Sequence, residues 1–538
     1  MQRVFAASLI LLLCLSCQKE EQDYYQKNGK IKNVIFVIGD GMGPQQLSML
    51  QLFAKHSKEP HFKNRVTNLE RLMSVGRTSS VMTNPGKNLV VDSSCSATQY
   101  STGEYSLPEV VGLDDNGEVS KTILELAKEK GLRTGLVSDT RLTHATPASY
   151  ASHNISRSDE SAIAKEMLEV GPDIMLSGGL RYFIPKSAEK DEELRNLVPS
   201  YISLNSKRKD EENLLNFASD KNYQLVFDRE SLSKAEKGKV LGLFESSSMP
   251  DGIWNTQNKD KAERQIPTLT EMAKTALDNL DGSEKGFFLM IEAGQIDWAG
   301  HRNDTGLLLH EMLRADELFG LLHKWMKGRE DTLLVVTADH ETGGFGFSYS
   351  GYDVLKPVKI TGEKFKGEDY RPKYNYGDFS TLDKLYRQSR STLDLMIDVK
   401  GWPKEKQTKK NMREYFETHM GYAFSDKDID QLMRSSKNEF YRPDHGNLSL
   451  KEVPHIEDFA AFYTYGNIVR ANIFARILGH KQNAVWATGS HTSTPVTMIT
   501  VGPRSLTDEF NGLLHSTEVG RKTIKALGLK KDYKTVIK

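Results

Sequence analysis

The chain has 538 residues, of which 38% are hydrophobic and 27% are charged, so it can form a large core and is not a disordered polypeptide. Its 72 Lys and Arg residues balance its 72 Asp and Glu residues. This balance leaves no net positive charge of the kind that attracts nucleic acids, and we expect no nucleic acid as a specific partner. The length exceeds that of a typical domain of roughly 100–200 residues, which predicts one elaborated domain or two.

The first residues have the pattern of a targeting segment. Met1–Ser16 places Arg3 before an apolar run that is too short to span a bilayer, which takes about 20 residues. The segment resembles a bacterial lipoprotein signal, with cleavage before Cys17 and lipid attachment to the Cys17 thiol. Cys14 departs from the strict pattern, and an ordinary cleaved secretory signal is the alternative. Both interpretations predict export, to the periplasm or the cell surface, and the first predicts a membrane anchor at Cys17 only.

Residues 17–31 are polar and are predicted to be a tether, and residues 32–538 are predicted to be the folded domain. No later stretch has the length and apolar character of a membrane span. With Cys14 removed and Cys17 lipidated, Cys95 is the one cysteine left, which excludes a framework of disulfides.

Short apolar runs alternate with helical patterns along most of the chain. The helical patterns include Thr122–Glu129 and the apolar positions between Leu307 and Leu318. The apolar runs are continuous rather than alternating, as in strands that are buried on both faces of a mostly parallel sheet. Together they predict an α/β fold, a three-layer sandwich with a mostly parallel central sheet. The predicted strands are Asn33–Ile38, Thr134–Val137, Gly286–Ile291, Thr332–Val336 and Val496–Val501.

One region, at about 350–482, interrupts this alternation and is rich in Lys, Asp, Tyr and Arg. Ser425 and Asp428 form a capping-box pattern at the start of one helix within it. A further helix is predicted to carry Phe462, Val469, Ile473 and Ile477 on one face. Because the last strand must still return to the sheet, we interpret this region as an insertion. A lid or dimer cap that shapes the site is its simplest role, and binding of a partner subunit or a cell-surface polymer is the alternative.

Acids and histidines follow the predicted strands. In an open α/β sheet, ligands bind beyond the carboxyl ends of the strands. Each of these side chains, taken alone, could be an exposed acid or a buried histidine that hydrogen-bonds within the core. Their occurrence after several successive strands favours a metal site. Carboxylates and imidazoles without a thiolate suit Zn²⁺ paired with Mg²⁺. The residues are Asp40, Glu292, the i, i+4 pair Asp297 and His301, the adjacent Asp339 and His340, and His491.

A serine-rich segment supplies candidate nucleophiles. Asp92 is followed by small residues up to Gly103, which predicts a helix whose first turn carries a hydroxyl. Free amides and the helix dipole attract anions at such a terminus. From the residues alone, Ser93, Ser94, Cys95 or Ser96 could each be the nucleophile, and a plain serine-rich helix cap is the alternative.

In their order along the chain, these segments resemble the alkaline phosphatase family, from about Asn33 to Pro503 with the insertion between them. The resemblance implies hydrolysis of small-molecule phosphate monoesters through a covalent phosphoserine, at two zinc ions and one magnesium ion. It is also compatible with a homodimer. The motifs are Gly39-Asp40-Gly41-Met42-Gly43, Asp92-Ser93-Ser94-Cys95-Ser96-Ala97-Thr98, Thr146-Pro147, Arg157, Glu292…Asp297…His301, Thr337-Ala338-Asp339-His340 and Gly489-Ser490-His491-Thr492.

The resemblance implies a role for each matching residue. Ser93 is the nucleophile, Arg157 holds two phosphate oxygens with its guanidinium fork, and Asp92 orients Arg157. The implied ligands are Asp297, His301 and His491 for the first zinc, Asp40, Asp339 and His340 beside Ser93 for the second, and Asp40, Thr146 and Glu292 for magnesium.

Two positions depart from the pattern of some family members. His144 stands where they have Asp near the magnesium, so it is either a ligand of the third metal or an outer-sphere residue. Trp298 stands where they have Lys or His near the phosphate. The sequence leaves two alternatives to a phosphomonoesterase: a phosphodiesterase or related esterase on the same bimetal core, and a surface lipoprotein that binds without catalysis. Arg157 favours the monoesterase, and the complete ligand set argues against the binding protein.

Overall fold

The computed structural model of the protein describes residues 30–59 and 61–534. The predicted signal segment 1–16, the predicted lipid attachment at Cys17 and nearly all of the predicted tether 17–31 lie outside these residues. Within the two described ranges, no helix combines the length and the apolar character that a membrane crossing requires.

The strands of the described residues are, in chain order, β1 Asn33–Gly39, β2 Arg77–Met82, β3 Arg133–Arg141, β4 Ile174–Gly178, β5 Tyr223–Val226, β6 Lys239–Leu243, β7 Phe287–Ala293, β8 Thr332–Thr337, β9 Glu341–Thr342, β10 Gly346–Phe347, β11 Val358–Lys359, β12 Asp369–Tyr370, β13 Ser435–Lys437, β14 Glu452–Pro454, β15 Ala484–Val485, β16 His491–Thr492, β17 Val496–Val501 and β18 Leu513–His515. All five strands predicted from apolar runs are present. The sequence did not indicate β18, which follows the strand we expected to be the last.

The α-helices of the same residues are α1 Pro44–His56, α2 Asn68–Val75, α3 Ser93–Thr102, α4 Ile123–Glu129, α5 Ala145–Ala151, α6 Glu160–Val170, α7 Glu192–Leu197, α8 Leu214–Asp220, α9 Arg229–Ser233, α10 Gly252–Asn258, α11 Leu269–Leu280, α12 Gln295–His301, α13 Thr305–Met326, α14 Ser380–Tyr386, α15 Thr392–Gly401, α16 Lys409–Met420, α17 Asp426–Met433, α18 Val469–Gln482, α19 Arg504–Thr507 and α20 Ser516–Ala526.

Ten strands form the central sheet, in the order β18-β2-β17-β8-β1-β7-β3-β4-β6-β5. β17 pairs antiparallel with both of its neighbours, and the other pairings are parallel. The central strands β1, β7 and β8 are buried along their whole length, which explains their continuous apolar runs. The predicted α/β sandwich with a mostly parallel sheet is therefore confirmed.

The segment that we interpret as an insertion leaves the sheet after β8 and returns to it at β17. A short antiparallel pair, Gly346–Phe347 with Ala484–Val485, brings its two ends together. Buried apolar side chains between residues 395 and 478 form a core of their own, separate from the main one. The main core packs around the central sheet.

Within that segment, the predicted capping box is confirmed, because Ser425 accepts from the Asp428 amide while the Asp428 side chain accepts from the Ser425 amide. The helix predicted to run from Phe462 begins only at Val469. Phe462 lies instead in a separate 3₁₀ turn, and its side chain is 56% exposed. Tyr463, with a φ of −117° and a ψ of 69°, leaves the helical region directly after Phe462, so one helix cannot run from Phe462 to Val469.

Candidate active site

The sheet topology explains why acids and histidines so distant in sequence meet at one edge. β1 lies between β7 and β8 in parallel register, so Asp40, Glu292 and Asp339 all lie at or just beyond the carboxyl ends of neighbouring strands. His491 precedes β17, which runs antiparallel to β8. The amino end of β17 therefore lies at this same edge, and a histidine before it joins residues that come after the other strands.

The first cluster comprises Asp297, His301 and His491, whose ligand atoms lie within 4.8 Å of one another. Asp297 and His301 share one turn of α12, as the i, i+4 spacing predicts. The Nε2 atoms of the two histidines are 3.1 Å apart, and the Nε2 atom of His301 is 3.2 Å from Oδ2 of Asp297. The His301 and His491 rings hydrogen-bond through Nδ1 to the carbonyl oxygens of Gly489 and Val91, at 2.7 and 2.8 Å.

These Nδ1 contacts decide the chemistry of the first cluster. A carbonyl oxygen only accepts, so each ring carries its proton on Nδ1 and presents a lone pair at Nε2. Two lone pairs facing each other beside a buried carboxylate are stabilised by a cation between them. Burial alone would raise the pKa of Asp297, but positive charge on His301 and His491, and their hydrogen bonds to it, hold that pKa well below its ordinary value, so the carboxylate is charged beside a cation. The donor set fits a divalent metal such as zinc.

The second cluster comprises Asp40, Asp339 and His340, all with no exposed surface. The Nε2 atom of His340 is 3.2 Å from Oδ2 of Asp339 and 3.6 Å from Oδ1 of Asp40. Both carboxylate oxygens of Asp40 and Oδ2 of Asp339 are buried without a hydrogen-bond partner. Burial, followed by the charges of nearby acids, raises the pKa of Asp40 well above its ordinary value and that of Asp339 to about 8. A bound cation would remove this penalty, so these residues also fit a metal.

Ser93 joins the second cluster. It is the first residue of α3, it is 1% exposed, and its Oγ lies 3.3 Å from Nε2 of His340. The rings of His340 and His491 stack with centroids 3.6 Å apart, so the first and second clusters are adjacent. Among the serines of this segment, Ser93 has its hydroxyl next to a metal-ligating side-chain atom, whereas Ser94 donates to Asp92 and Ser96 donates to the backbone carbonyl of Asp339. Cys95 is fully buried and donates to the carbonyl of Ser106, which agrees with packing.

A third cluster comprises Asp40, His144 and Glu292. Nδ1 of His144 lies 4.0 Å from Oε1 of Glu292, and both atoms are buried without a hydrogen-bond partner, as is Oγ1 of Thr146. The other oxygen of Glu292 accepts from Ser138 and Thr140. Burial raises the pKa of Glu292 to about 7 and lowers that of His144 well below its ordinary value. The unsatisfied polar atoms of Asp40, His144, Thr146 and Glu292 fit a third metal, with His144 close enough to be a ligand.

Arg157 is held at the entrance by Asp92. Nη1 of Arg157 donates to Oδ2 of Asp92 at 2.7 Å, and the Arg157 side chain is 22% exposed. Asp92 also caps α3 and accepts from Ser94 and from the Glu109 amide. Burial would raise the pKa of Asp92, but Arg157 and these hydrogen bonds outweigh it and lower that pKa. The pair is therefore charged, and Arg157 keeps further N–H groups for an anion.

Gly41 is required by the close approach of two elements. Its φ is +74°, and a Cβ there would lie 2.7 Å from the Cα of Asp297. The Gly41 amide donates to Oδ1 of Asp339 at 3.1 Å. The Gly-Asp-Gly turn that follows β1 thus lets the first and second clusters lie side by side.

Three contacts of the site carry no sequence signal. Thr342 donates to Oδ1 of Asp297 at 2.5 Å, and Asn472 of α18 donates to the backbone carbonyl of His301 at 2.6 Å. The ring of Tyr465 lies in edge-to-face contact with the ring of His301. Asn472 and Tyr465 belong to the segment at 350–482, whose sequence has no metal-ligand spacing, so only the fold reveals their proximity.

Trp298 lies on α12, three residues before His301. Its ring is half-buried, lies 5.7 Å from the ring of His144, and has the guanidinium of Arg141 at 5.8 Å from its centroid. The structure thus brings the residues predicted from the sequence into one continuous site.

Comparison with known proteins identifies the family. The model of the alkaline phosphatase family matches residues 31–441. The chain belongs to the alkaline phosphatase family. It is 29% identical over 509 residues to alkaline phosphatase 3 of Bacillus subtilis, covering 93% of this chain and 89% of that one. It is 36% identical over 334 residues to the repressible alkaline phosphatase of Saccharomyces cerevisiae, covering 59% of this chain and 56% of that one.

Solved structures agree with this assignment. Alkaline phosphatase from Thermus thermophilus superposes with a TM-score of 0.73 at 26% identity, covering 95% of this chain and 94% of that one. A cold-active alkaline phosphatase from a Shewanella species gives a TM-score of 0.66 at 25% identity, covering 92% and 99%. The resemblance inferred from the motifs is confirmed, and the protein is a hydrolase of phosphate monoesters with a metal-binding active site.

Proposed function

We propose that this alkaline phosphatase hydrolyses phosphate monoesters by double displacement, with Ser93 as the nucleophile and with two zinc ions and one magnesium ion. The observation that carries the proposal is the convergence of three ligand clusters beside the Ser93 hydroxyl. Asp297, His301 and His491 would hold the first zinc, and Asp40, Asp339 and His340 the second. Asp40, Thr146 and Glu292, with His144, would hold the magnesium. When bound, these metals supply positive charge that lowers the pKa of a hydroxyl or water and stabilises oxyanions.

The chain's own residues prepare Ser93 for attack. Its hydroxyl stands at the N-terminus of α3, where free amides and the helix dipole favour negative charge. The serine oxygen forms a bond to phosphorus while the bond from phosphorus to the ester oxygen breaks, and the alcohol leaves with a proton. Water then attacks the phosphoserine, which releases inorganic phosphate and restores the serine hydroxyl. Each half of the cycle is one displacement at phosphorus.

Arg157 would hold the phosphoryl group during both displacements. Its ion pair with Asp92 fixes the guanidinium at the entrance, and its remaining N–H groups suit two phosphoryl oxygens. A monoester presents more charged oxygens than a diester, so this clamp supports the monoesterase over a phosphodiesterase. The transition state of phosphoryl transfer is loose, so positioning and charge supply most of the rate enhancement.

The first experiment compares kcat/KM for an aryl phosphate monoester and for the matching diester. The protein would lack residues 1–17 and would be supplied with zinc and magnesium at mildly alkaline pH. We expect a large preference for the monoester. A preference for the diester would instead favour a phosphodiesterase on the same metal core, and no metal-dependent turnover of either ester would favour a binding protein.

A second experiment isolates Ser93. We expect Ser93→Ala to lose turnover by a factor of about a thousand or more, since the covalent route is removed, while the zinc content stays that of the unmodified protein. Ser101→Ala is a matched control on the same helix, because Ser101 hydrogen-bonds only to backbone carbonyls. An equal loss of zinc and activity in Ser93→Ala would contradict the role of nucleophile.

We also propose that the protein is exported and anchored to a bacterial membrane through a lipid on Cys17. The pattern of Met1–Ser16 before Cys17 supports this proposal. In a bacterial host, we expect the full chain in the membrane fraction and Cys17→Ala in the soluble fraction. A homodimer is a further proposal that the resemblance suggests, and the sedimentation of the purified chain tests it.

A further inference from the structure

The segment at 350–482 is fastened directly to the first cluster. The carbonyl oxygen of Phe462 accepts hydrogen bonds from the Gly489 amide at 3.2 Å and from the Thr488 hydroxyl at 3.1 Å. Gly489 and Thr488 lie two and three positions before His491. Asn472, 2% exposed, donates to the carbonyl of His301. These bonds join the segment to the backbone of His301 and to the residues just before His491, so the chain between Phe462 and Asn472 has a fixed place beside the site.

Tyr465 lies in that stretch and faces the site. Its ring centroid is 4.8 Å from that of His301, with the ring planes at 73°. Burial, and next the charge of Asp297, raise the pKa of Tyr465 to about 12, while Arg157 opposes them. The side chain is only half-buried, and its hydroxyl has no hydrogen-bond partner among residues 30–59 and 61–534. A tyrosine between a metal-ligating ring and solvent has a face available for a ligand.

A second aromatic side chain lies on α12, the helix that carries His301. Trp298 is half-buried and is three residues before His301, with its ring against His144 and Arg141. Trp298 and Tyr465 therefore border the metal-ligating residues from the His144 side and from the His301 side. Neither ring is enclosed by the core, and both present apolar surface next to residues that bind charge.

We propose that Tyr465, assisted by Trp298, contacts the alcohol portion of the substrate and makes the enzyme prefer monoesters whose alcohol carries an aromatic ring. This inference rests on the proposed function, in which the phosphoryl group lies between Ser93 and Arg157. The alcohol then projects from the phosphoryl group toward solvent, past the rings that border the entrance. Contact between aromatic rings is worth roughly 3- to 10-fold in an equilibrium or a rate.

The experiment compares 2-phenylethyl phosphate with ethyl phosphate. Their alcohols have similar leaving-group chemistry, so the ratio of their kcat/KM values reports contact with the ring. We expect Tyr465→Ala to lower that ratio by roughly 3- to 10-fold and Tyr465→Phe to keep most of it. Inhibition by inorganic phosphate, which has no alcohol portion, and the zinc content should match the unmodified enzyme in both variants. Tyr370→Ala, at an exposed tyrosine of the β11–β12 hairpin, is the matched control.

An unchanged ratio in Tyr465→Ala would overturn the inference. A loss of zinc in step with the loss of activity, or weaker inhibition by phosphate, would make Tyr465 a structural support of the first cluster and would also overturn it. An unmodified enzyme that releases phosphate from neither ester would overturn the proposed function itself, and this inference with it.

Discussion

The Nε2 atoms of His301 and His491 face each other at 3.1 Å, while the Nδ1 atom of each ring bonds to a backbone carbonyl oxygen. Neither ring can turn its lone pair away without losing that bond. A metal ion bound by both Nε2 atoms would hold the two rings together, so the arrangement links the stability of the fold to metal binding.

The first prediction concerns this linkage. Removal of metal with a chelator should lower the melting temperature of the protein, and His491→Ala should lower the zinc content by about one ion per chain. The additional loss of melting temperature on chelation should be smaller in His491→Ala, because part of the linkage is already gone. His445→Ala, at an exposed histidine of the inserted segment, is the control. Unchanged zinc content in His491→Ala would exclude His491 as a ligand.

The second prediction concerns the phosphate clamp. Arg157→Ala should reduce kcat/KM for a monoester by one to two powers of ten, about 1.5–3 kcal/mol, because charge-assisted bonds to the phosphoryl oxygens are lost. The effect on a diester should be smaller, since a diester has one fewer charged oxygen. Arg157→Lys should restore only part of the activity, since an ammonium lacks the planar fork. Equal losses for both esters would argue that Arg157 is not the clamp.

The third prediction uses the turn after β1. Gly41→Ala must place a Cβ at a φ of +74° and within 2.7 Å of the Cα of Asp297, so it should displace the first cluster. We expect a loss of zinc and at least a tenfold loss of activity. Gly117→Ala is a matched control, because its φ is +82° but nothing lies within 4 Å of the added Cβ. That variant should lose about 1 kcal/mol of stability from its backbone conformation alone and keep its activity. Similar activities in the two variants would contradict this account of Gly41.

The fourth prediction concerns His310, which lies on α13 away from the metal ligands. Its side chain is 2% exposed, its Nδ1 hydrogen-bonds to the Thr256 hydroxyl at 2.9 Å, and burial lowers its pKa from 6.5 to about 4. Because the folded pKa is lower than the unfolded one, the unfolded chain binds more protons between pH 6.5 and 4. The contribution to stability is thus complete above pH 6.5 and is lost as the pH falls toward 4, by up to about 3 kcal/mol.

Urea unfolding at several pH values tests this prediction. His310→Asn should be less stable than the unmodified protein at pH 7.5, but its free energy of unfolding should fall less steeply between pH 6.5 and 4. The metal ligands remain in both proteins, so their contributions cancel in the difference. The charge of His61, whose pKa burial also lowers to about 4, lowers the pKa of His310, so the difference includes the interaction of the two histidines. Parallel pH dependences in the two proteins would show that His310 does not titrate on unfolding.

The sequence by itself determined the local features and the chemistry of the site. Continuous apolar runs predicted β1, β7, β8 and β17, because strands buried on both faces allow no alternation. The i, i+4 spacing placed Asp297 and His301 on one helix turn, and the motifs identified the family. These features depend on residues close in sequence or on the order of motifs, so they can be recognised without the tertiary structure.

The tertiary structure alone decided what depends on distant contacts. The antiparallel course of β17 brings His491 to the carboxyl ends of parallel strands. The first two clusters are joined by the stacking of the His491 ring on His340 and by the close approach of Gly41 to Asp297. The helix predicted from Phe462 failed because Tyr463, directly after it, has a non-helical backbone, and the periodicity of the sequence does not indicate this break. Tyr465 reaches His301 from more than 160 positions away, and such proximity arises from packing, which leaves no spacing in the sequence to detect.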